Sequence, residues 1–267
     1  MRQRFCIFRE ITIANQMIHQ LKILGRLNIT ILLIAMTLFC FAILVTRSLI
    51  TDTQVFLFLN WNLFLAIIPW AISSLMLIYN LNKKLPLVLL IISWILFFPN
   101  SPYILTDLFH LHLNGSAPVW FDLVLILSFA WTGLVYGLTS LMDIEKMLSS
   151  YLNRKWINTV IVSFLFLAGF GIYLGRYLRW NSWDIIQNPL GLAGDIIDRF
   201  INPFNHPKTW GMTLLMVILL NMIYFSIKFI KAKPELKRIW LKTAINLFFL
   251  TPSISQNGID TFYLWII

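Results

Sequence analysis

The sequence predicts an all-α fold: a polytopic transmembrane helical bundle of six spans, with a broken third helix and both termini cytoplasmic. Three observations predict it. Uncharged windows cover residues 27–46, 53–82, 85–106, 123–142, 156–175 and 209–227, and a bilayer core of ~30 Å takes ~20 apolar residues as helix. The chain is 59% hydrophobic and 12% charged, with a mean hydropathy of +0.78, where a soluble domain carries roughly 25% charged residues. The 21 Lys and Arg residues, which with 11 Asp and Glu give a net charge of +10, gather at the edges of the apolar windows. Five precede the first window and six follow the last. That placement fits helix orientation and contact with anionic lipid rather than nucleic-acid binding. With the N-terminus inside, sixteen basic residues fall on the cytoplasmic side and five on the other. Both termini are therefore expected in the cytoplasm. No polar stretch is long enough to hold the core of a second, soluble domain.

Taken in order, residues 1–28 read as a basic cytoplasmic segment lying on the membrane, residues 29–228 as the six-helix domain and residues 229–267 as a basic and amphipathic tail. The first helix is expected over 28–46, retained as a span because no small-residue cleavage site follows it. Cys6 and Cys40 make no disulfide framework. The second helix spans 55–79, with a kink at Pro69. The third starts at Pro86, and its clean apolar run from Leu85 closes at Phe98. Fourteen residues make only ~21 Å of helix, short of a crossing. Pro99-Asn100-Ser101-Pro102 then interrupts it, and such breaks survive at membrane depth only against protein or a wet cavity. Ser101 is expected to cap a short helix with Pro102 at its first position, running over 102–113 to a stop at Asn114-Gly115. The fourth and fifth helices are expected over 119–141 and 157–174, and the sixth over 210–227. The segment 175–208 between the last two carries an amphipathic patch near 190–201. In the tail, residues 239–250 can lie in the interface.

Three constellations carry candidate chemistry, all on the non-cytoplasmic side by the charge count. The first is Asp107-x-x-His110-x-His112, in which positions three apart share a helix face. Asp107 and His110 suit a general acid/base pair, and Asp122 can add a carboxylate; the bland alternative is hydrogen bonding at head-group level. The same pair suits part of a metal site, although no standard metal-ligand spacing is met, and the sequence leaves the cofactor unknown. The second is Arg176 through Asp184. If the fifth helix continues outward, Arg176 and Arg179 share a face. Their guanidiniums suit an anionic lipid head group, with Trp180, Asn181, Trp183 and Asp184 beside them. The alternative is an aromatic belt with snorkelling arginines. The third is Asn60-Trp61-Asn62, where Asn60 and Asn62 join Asn100 and Tyr103 as polar contacts, or serve to hold helices together.

The strings Phe98 through Leu111, Tyr173 through Asp184 and Asn60 through Ala66 resemble those of the bacterial integral-membrane family known as domain of unknown function 1361. The resemblance covers about residues 30–228. It implies a multi-pass protein of a bacterial plasma membrane and implies no activity. The residues themselves point first to a site that binds or processes a membrane lipid or a lipid-linked phosphate-bearing precursor. A transporter and an envelope assembly factor are the competing readings.

Overall fold

The computed structural model describes residues 25–79, 84–111 and 117–232. The N-terminal segment with Cys6, His112, the Asn114-Gly115 stop and the tail beyond residue 232 lie outside the described residues. Among the described residues the fold is all-helical, without strands. Six stretches are long and apolar enough to cross a membrane. The helices are α1 (Leu27–Thr51), α2 (Phe58–Tyr79), α3 (Lys84–Phe97), a one-turn α4 (Asn100–Tyr103) that runs into a 3-10 segment (Ile104–His110), α5 (Val119–Leu148), α6 (Arg154–Tyr177), a one-turn α7 (Asp184–Gln187), the amphipathic α8 (Pro189–Ile201) and α9 (Pro207–Ala232). The described residues up to Leu220 form one compact unit. The described residues from Asn221 to Ala232 belong to a second, in which Tyr224 and Phe225 pack edge to face, 5.5 Å apart, with the Lys228 ammonium over both rings.

α5 is the axis of the first unit. Of its most apolar 18-residue stretch 61% is buried, against 17% for α1, so α1 turns most of its leucines and isoleucines to lipid. Lipid tails are as apolar as those side chains, so helix association rests on close packing and polar contacts rather than on the hydrophobic effect. The α1–α5 seam shows the polar part. Arg26 pairs with Asp143 at 2.8 Å, Thr37 with the Tyr136 hydroxyl at 3.0 Å, Cys40 with Thr132 at 3.3 Å and Arg47 with Asp122 at 3.0 Å. Each step up α1 is a step back along α5, the register of an antiparallel pair.

The two ion pairs close this seam at both ends. Arg26 and Arg47 stand 21 residues apart, and so do Asp143 and Asp122. That separation is ~31 Å of helix, close to the ~30 Å of a hydrocarbon core. Arg47 is why α1 runs on to Thr51 rather than ending near residue 46. Its guanidinium is 1% exposed and grips both oxygens of Asp122, at 3.0 and 3.3 Å, while donating to Thr51 and Thr53. A charge neutralised inside the bundle does not stop a helix.

The middle of the seam is held by weaker contacts. Tyr136→Phe removes the Thr37 partner and is expected to cost about 0.6 kcal/mol, the usual size of an interhelical hydrogen bond in a membrane protein. Denaturant titration of the purified protein in mixed micelles measures it.

Candidate functional site

The broken third span builds the site. Pro99 and Pro102 have no N–H to donate, so α3 ends at Phe97. The next groups are satisfied locally: the Ser101 N–H bonds the Phe98 carbonyl at 3.1 Å and the Tyr103 N–H bonds that of Pro99 at 3.1 Å. The expected helix over 102–113 is instead one α-turn followed by seven residues of 3-10 helix. Runs of 3-10 beyond three or four residues are uncommon and often mark a functional or strained stretch. Ser101 is not the cap of a new helix. It is buried inside the turn, and its hydroxyl donates to the Ala66 carbonyl of α2 at 2.9 Å.

Four glycines seat this segment. A Cβ at Gly137 would lie 2.6 Å from Ser101 Cβ, one at Gly133 2.6 Å from Ile104 Cδ1, one at Gly171 2.9 Å from the Pro99 ring and one at Gly175 3.2 Å from the Tyr103 ring. They form two Gly-x-x-x-Gly pairs, one on α5 and one on α6, the spacing that lets helix backbones approach in membranes. The two pairs flank the break.

The close seat brings Asp107 into the bundle, fully buried. Asn62 on α2 donates to Asp107 Oδ2 at 2.7 Å, and Arg176 Nη1 reaches Asp107 Oδ1 at 3.4 Å. Arg176 is positioned because α6 runs three residues past the expected end at 174, to Tyr177. Its other contacts are the Thr106 carbonyl, His110 Nδ1 at 3.0 Å and the Tyr103 hydroxyl at 3.5 Å, with Phe109 and Tyr103 rings 5.3 and 5.7 Å from the guanidinium carbon. His110 Nδ1 stands between the Arg176 guanidinium and the Asp107 carbonyl, 3.2 Å away. The His110 ring lies 5.0 Å from that of Phe58.

α2 gives the depth of this cluster. The Ser73 hydroxyl donates to Asp143 at 2.9 Å. Asn62 stands eleven residues earlier, or ~16 Å of helix, about half the distance between the Arg26–Asp143 and Arg47–Asp122 pairs. The Asn62–Asp107 contact is thus inside the apolar layer and not at its rim.

Beside the cluster lies a cavity of about 520 Å³, within the 300–1,000 Å³ range of ligand sites. Its walls are apolar, with Leu65, Ile95, Phe166 and Leu167 among them, and Leu192, Ile196 and Phe200 of α8 complete it. From Phe166 to Gly175 it follows α6 for ~13 Å. Its polar residues are Asn62, Asn100, Tyr103, Asn181 and Ser182, with Asn100 bonded to Ser182, and Trp180 is on the wall as well. Asn62 and Tyr103 touch both the cavity and the Asp107–Arg176 pair. Trp180 Nε1 donates to Asp195 Oδ2 at 2.7 Å, and Arg199 pairs with the other oxygen at 3.1 Å, which ties α8 to the end of α6.

Sequence-predicted residues thus divide. Asn62, Tyr103, Asp107, His110 and Arg176 meet in one cluster, and Asn100, Trp180 and Asn181 adjoin it on the cavity wall. Asp122 does not join them, because both its oxygens are taken by Arg47. Arg179 does not share a face with Arg176. It is exposed, in the left-handed region at φ 61°, and it ends the helix by folding the chain so that the Trp180 N–H meets the Leu174 carbonyl at 3.2 Å. Asp184 serves the turn before α7, accepting from the Asn181 N–H at 2.6 Å. Trp183 packs edge-on against Trp61 at 6.2 Å, and Asn60 holds a buried amide oxygen with no partner among the described residues. Sequence reasoning missed the glycine pairs, Ser182, Thr106 and the α8 wall; the glycine spacing was the available signal for the first. Among the described residues, no three His, Cys, Asp or Glu side chains gather as a metal site.

No curated protein and no solved structure matches the chain. A family model described as protein of unknown function (DUF1361) matches residues 61–223, which takes in the glycine pairs, the broken span, the Asp107–Arg176 cluster and every residue of the cavity wall. With well over half its length matched, the chain belongs to that family.

Proposed function

We propose that this membrane protein binds a single lipid, with the tail in the cavity beside α6 and the polar end at Asn62, Asn100 and Tyr103. The observation that carries the reading is the cavity itself: mostly apolar walls along some 13 Å of α6, with a few polar side chains, Asn62, Asn100 and Tyr103 among them, in the lining. The Lys and Arg balance supports placing that end toward the non-cytoplasmic side, and the family resemblance supports a bacterial plasma membrane as the setting. Binding is favoured over turnover because Asp107 and His110 are not on the cavity wall. Asp107 is held by Asn62 and Arg176, and His110 by Arg176. Acid/base chemistry on a bound lipid would have to pass through Tyr103 or Asn62.

Filling the cavity tests the reading. Leu167→Trp places a large ring against the wall and is expected to weaken saturable lipid binding at least ten-fold, with the unfolding temperature unchanged within ~3 °C, the usual effect of a substitution that disturbs no buried network. Quenching of cavity-wall tryptophan fluorescence by spin-labelled lipid, with the protein in amphipol, reads it. Wild-type protein that shows no saturable quenching removes the proposal.

A further inference from the structure

We infer that the cavity is built for an uncharged lipid bearing a hydroxyl head, a long-chain alcohol, rather than for a phosphate-bearing one. The inference rests on the lipid-binding reading and names its ligand class. None of the residues on the cavity wall is a lysine, arginine, histidine, aspartate or glutamate. Arg176 lies behind the wall with its charge facing Asp107, and Arg179 is exposed and not on the wall. A phosphate in this position would leave water without meeting a cation, and a buried charge without a partner is strongly disfavoured.

The hydrogen-bond inventory then fixes what the polar end offers. Asn62 Nδ2 donates to Asp107, and Asn100 Nδ2 donates to the Phe97 carbonyl at 3.0 Å and to Ser182 Oγ at 3.0 Å. The Ser182 hydroxyl proton goes to the Leu96 carbonyl at 3.1 Å, and the Trp180 N–H goes to Asp195. A carboxylate and a carbonyl only accept, so both amide orientations are set by chemistry. Three amide oxygens of wall residues, Asn62 Oδ1, Asn100 Oδ1 and Asn181 Oδ1, and the Trp61 indole N–H make no hydrogen bond among the described residues, and none of the four is among the buried unpartnered atoms. Tyr103 adds one hydroxyl that accepts from Arg176 and so keeps its proton to donate. An alcohol can give its one proton to one of these amide oxygens and take the Tyr103 proton on a lone pair. The same oxygens face a phosphate's oxygens with nothing to share.

The test is a ligand panel on the wild-type full chain in amphipol, read by tryptophan fluorescence from Trp61 and Trp180 on the wall. The probes are 1-hexadecanol, geranylgeraniol, the monophosphate of each, and hexadecane. At least one alcohol is expected to bind ten-fold or more tightly than its own phosphate and than hexadecane, and which alcohol leads identifies the chain as alkyl or isoprenoid. A phosphate that binds as well as its alcohol, or better, overturns the inference and leaves lipid binding standing. Hexadecane binding as tightly as the alcohols overturns it too, because the polar end would then contribute nothing. No saturable binding by any probe overturns both the inference and the reading beneath it. Asn100→Leu, checked for an unchanged unfolding temperature, is expected to remove most of the alcohol's advantage over hexadecane; an undiminished advantage in that folded variant also overturns the inference.

Discussion

Arg176→Met is expected to destabilise the protein by about 3–5 kcal/mol, the cost of removing one partner from a buried ion pair. For a chain of this size that is a fall of roughly 6–20 °C in unfolding temperature. Asp107 is fully buried, and among the described residues Arg176 is its only ion-pair partner. Methionine keeps much of the volume but leaves the carboxylate with a single donor, Asn62, at half the depth of the bundle. The Thr106 carbonyl loses its guanidinium donor and His110 Nδ1 loses its Arg176 contact in the same step. The damage should therefore concentrate in the 3-10 segment, as faster amide hydrogen exchange over 104–111, while the α1–α5 seam stays protected. The double variant Arg176→Met/Asp107→Asn is expected to be less destabilised than the sum of its single variants, because the neutral amide no longer needs a cation. Strict additivity of the two would mean that the pair is not what holds this segment.

The sequence carried the spans well and the pairings badly, and the particular residues show why. Six uncharged windows follow from bilayer thickness alone, and they reappear as the six long apolar helices. The break at Pro99–Pro102 was visible because proline's missing N–H is a local property. Asp122 was placed at the correct end of α5, but its partner is Arg47, 75 residues earlier, and no local pattern distinguishes that pairing from one with Asp107. Arg179 shares a face with Arg176 only if the helix continues past residue 177. Its left-handed backbone stops α6 without the glycine or asparagine that usually announces such a stop. The Ser101 cap failed for a related reason. The capping pattern is local, whereas the Ala66 carbonyl that takes its proton comes from another helix. Residue type marks Arg176 as a head-group cation; its pairing with Asp107, 69 residues earlier, is another contact that no local pattern announces.

Gly137→Ala separates a seat that the fold needs from an ordinary helical glycine. On an open helix surface, alanine for glycine gains about 0.5–1 kcal/mol, and Gly211 in α9, with nothing within 4 Å of its added Cβ, should show that gain. At Gly137 the new methyl meets Ser101 Cβ at 2.6 Å. Ser101 has little freedom to retreat: its hydroxyl is bonded to Ala66 of α2, and it stands between Asn100 and Pro102 in a buried turn. Overpacking of that kind costs about 1–3 kcal/mol, which outweighs the propensity gain and makes Gly137→Ala a net loss. Gly133→Ala should cost less, because its nearest neighbour is Ile104 Cδ1, the end of a side chain that can rotate, although the Ser101 carbonyl at 3.1 Å limits the relief. Gly137→Leu adds three more carbons to the same clash and is expected to cost well over 3 kcal/mol. It should also shift Tyr103 and Asn62 relative to each other, so that lipid binding falls along with stability. The expected order of unfolding temperature is Gly211→Ala, wild type, Gly133→Ala, Gly137→Ala, Gly137→Leu. Should Gly137→Ala unfold at or above the wild-type temperature, the broken span is not wedged against α5, and the geometry that delivers Asp107 to Arg176 must come from α6 and its Gly171–Pro99 contact alone.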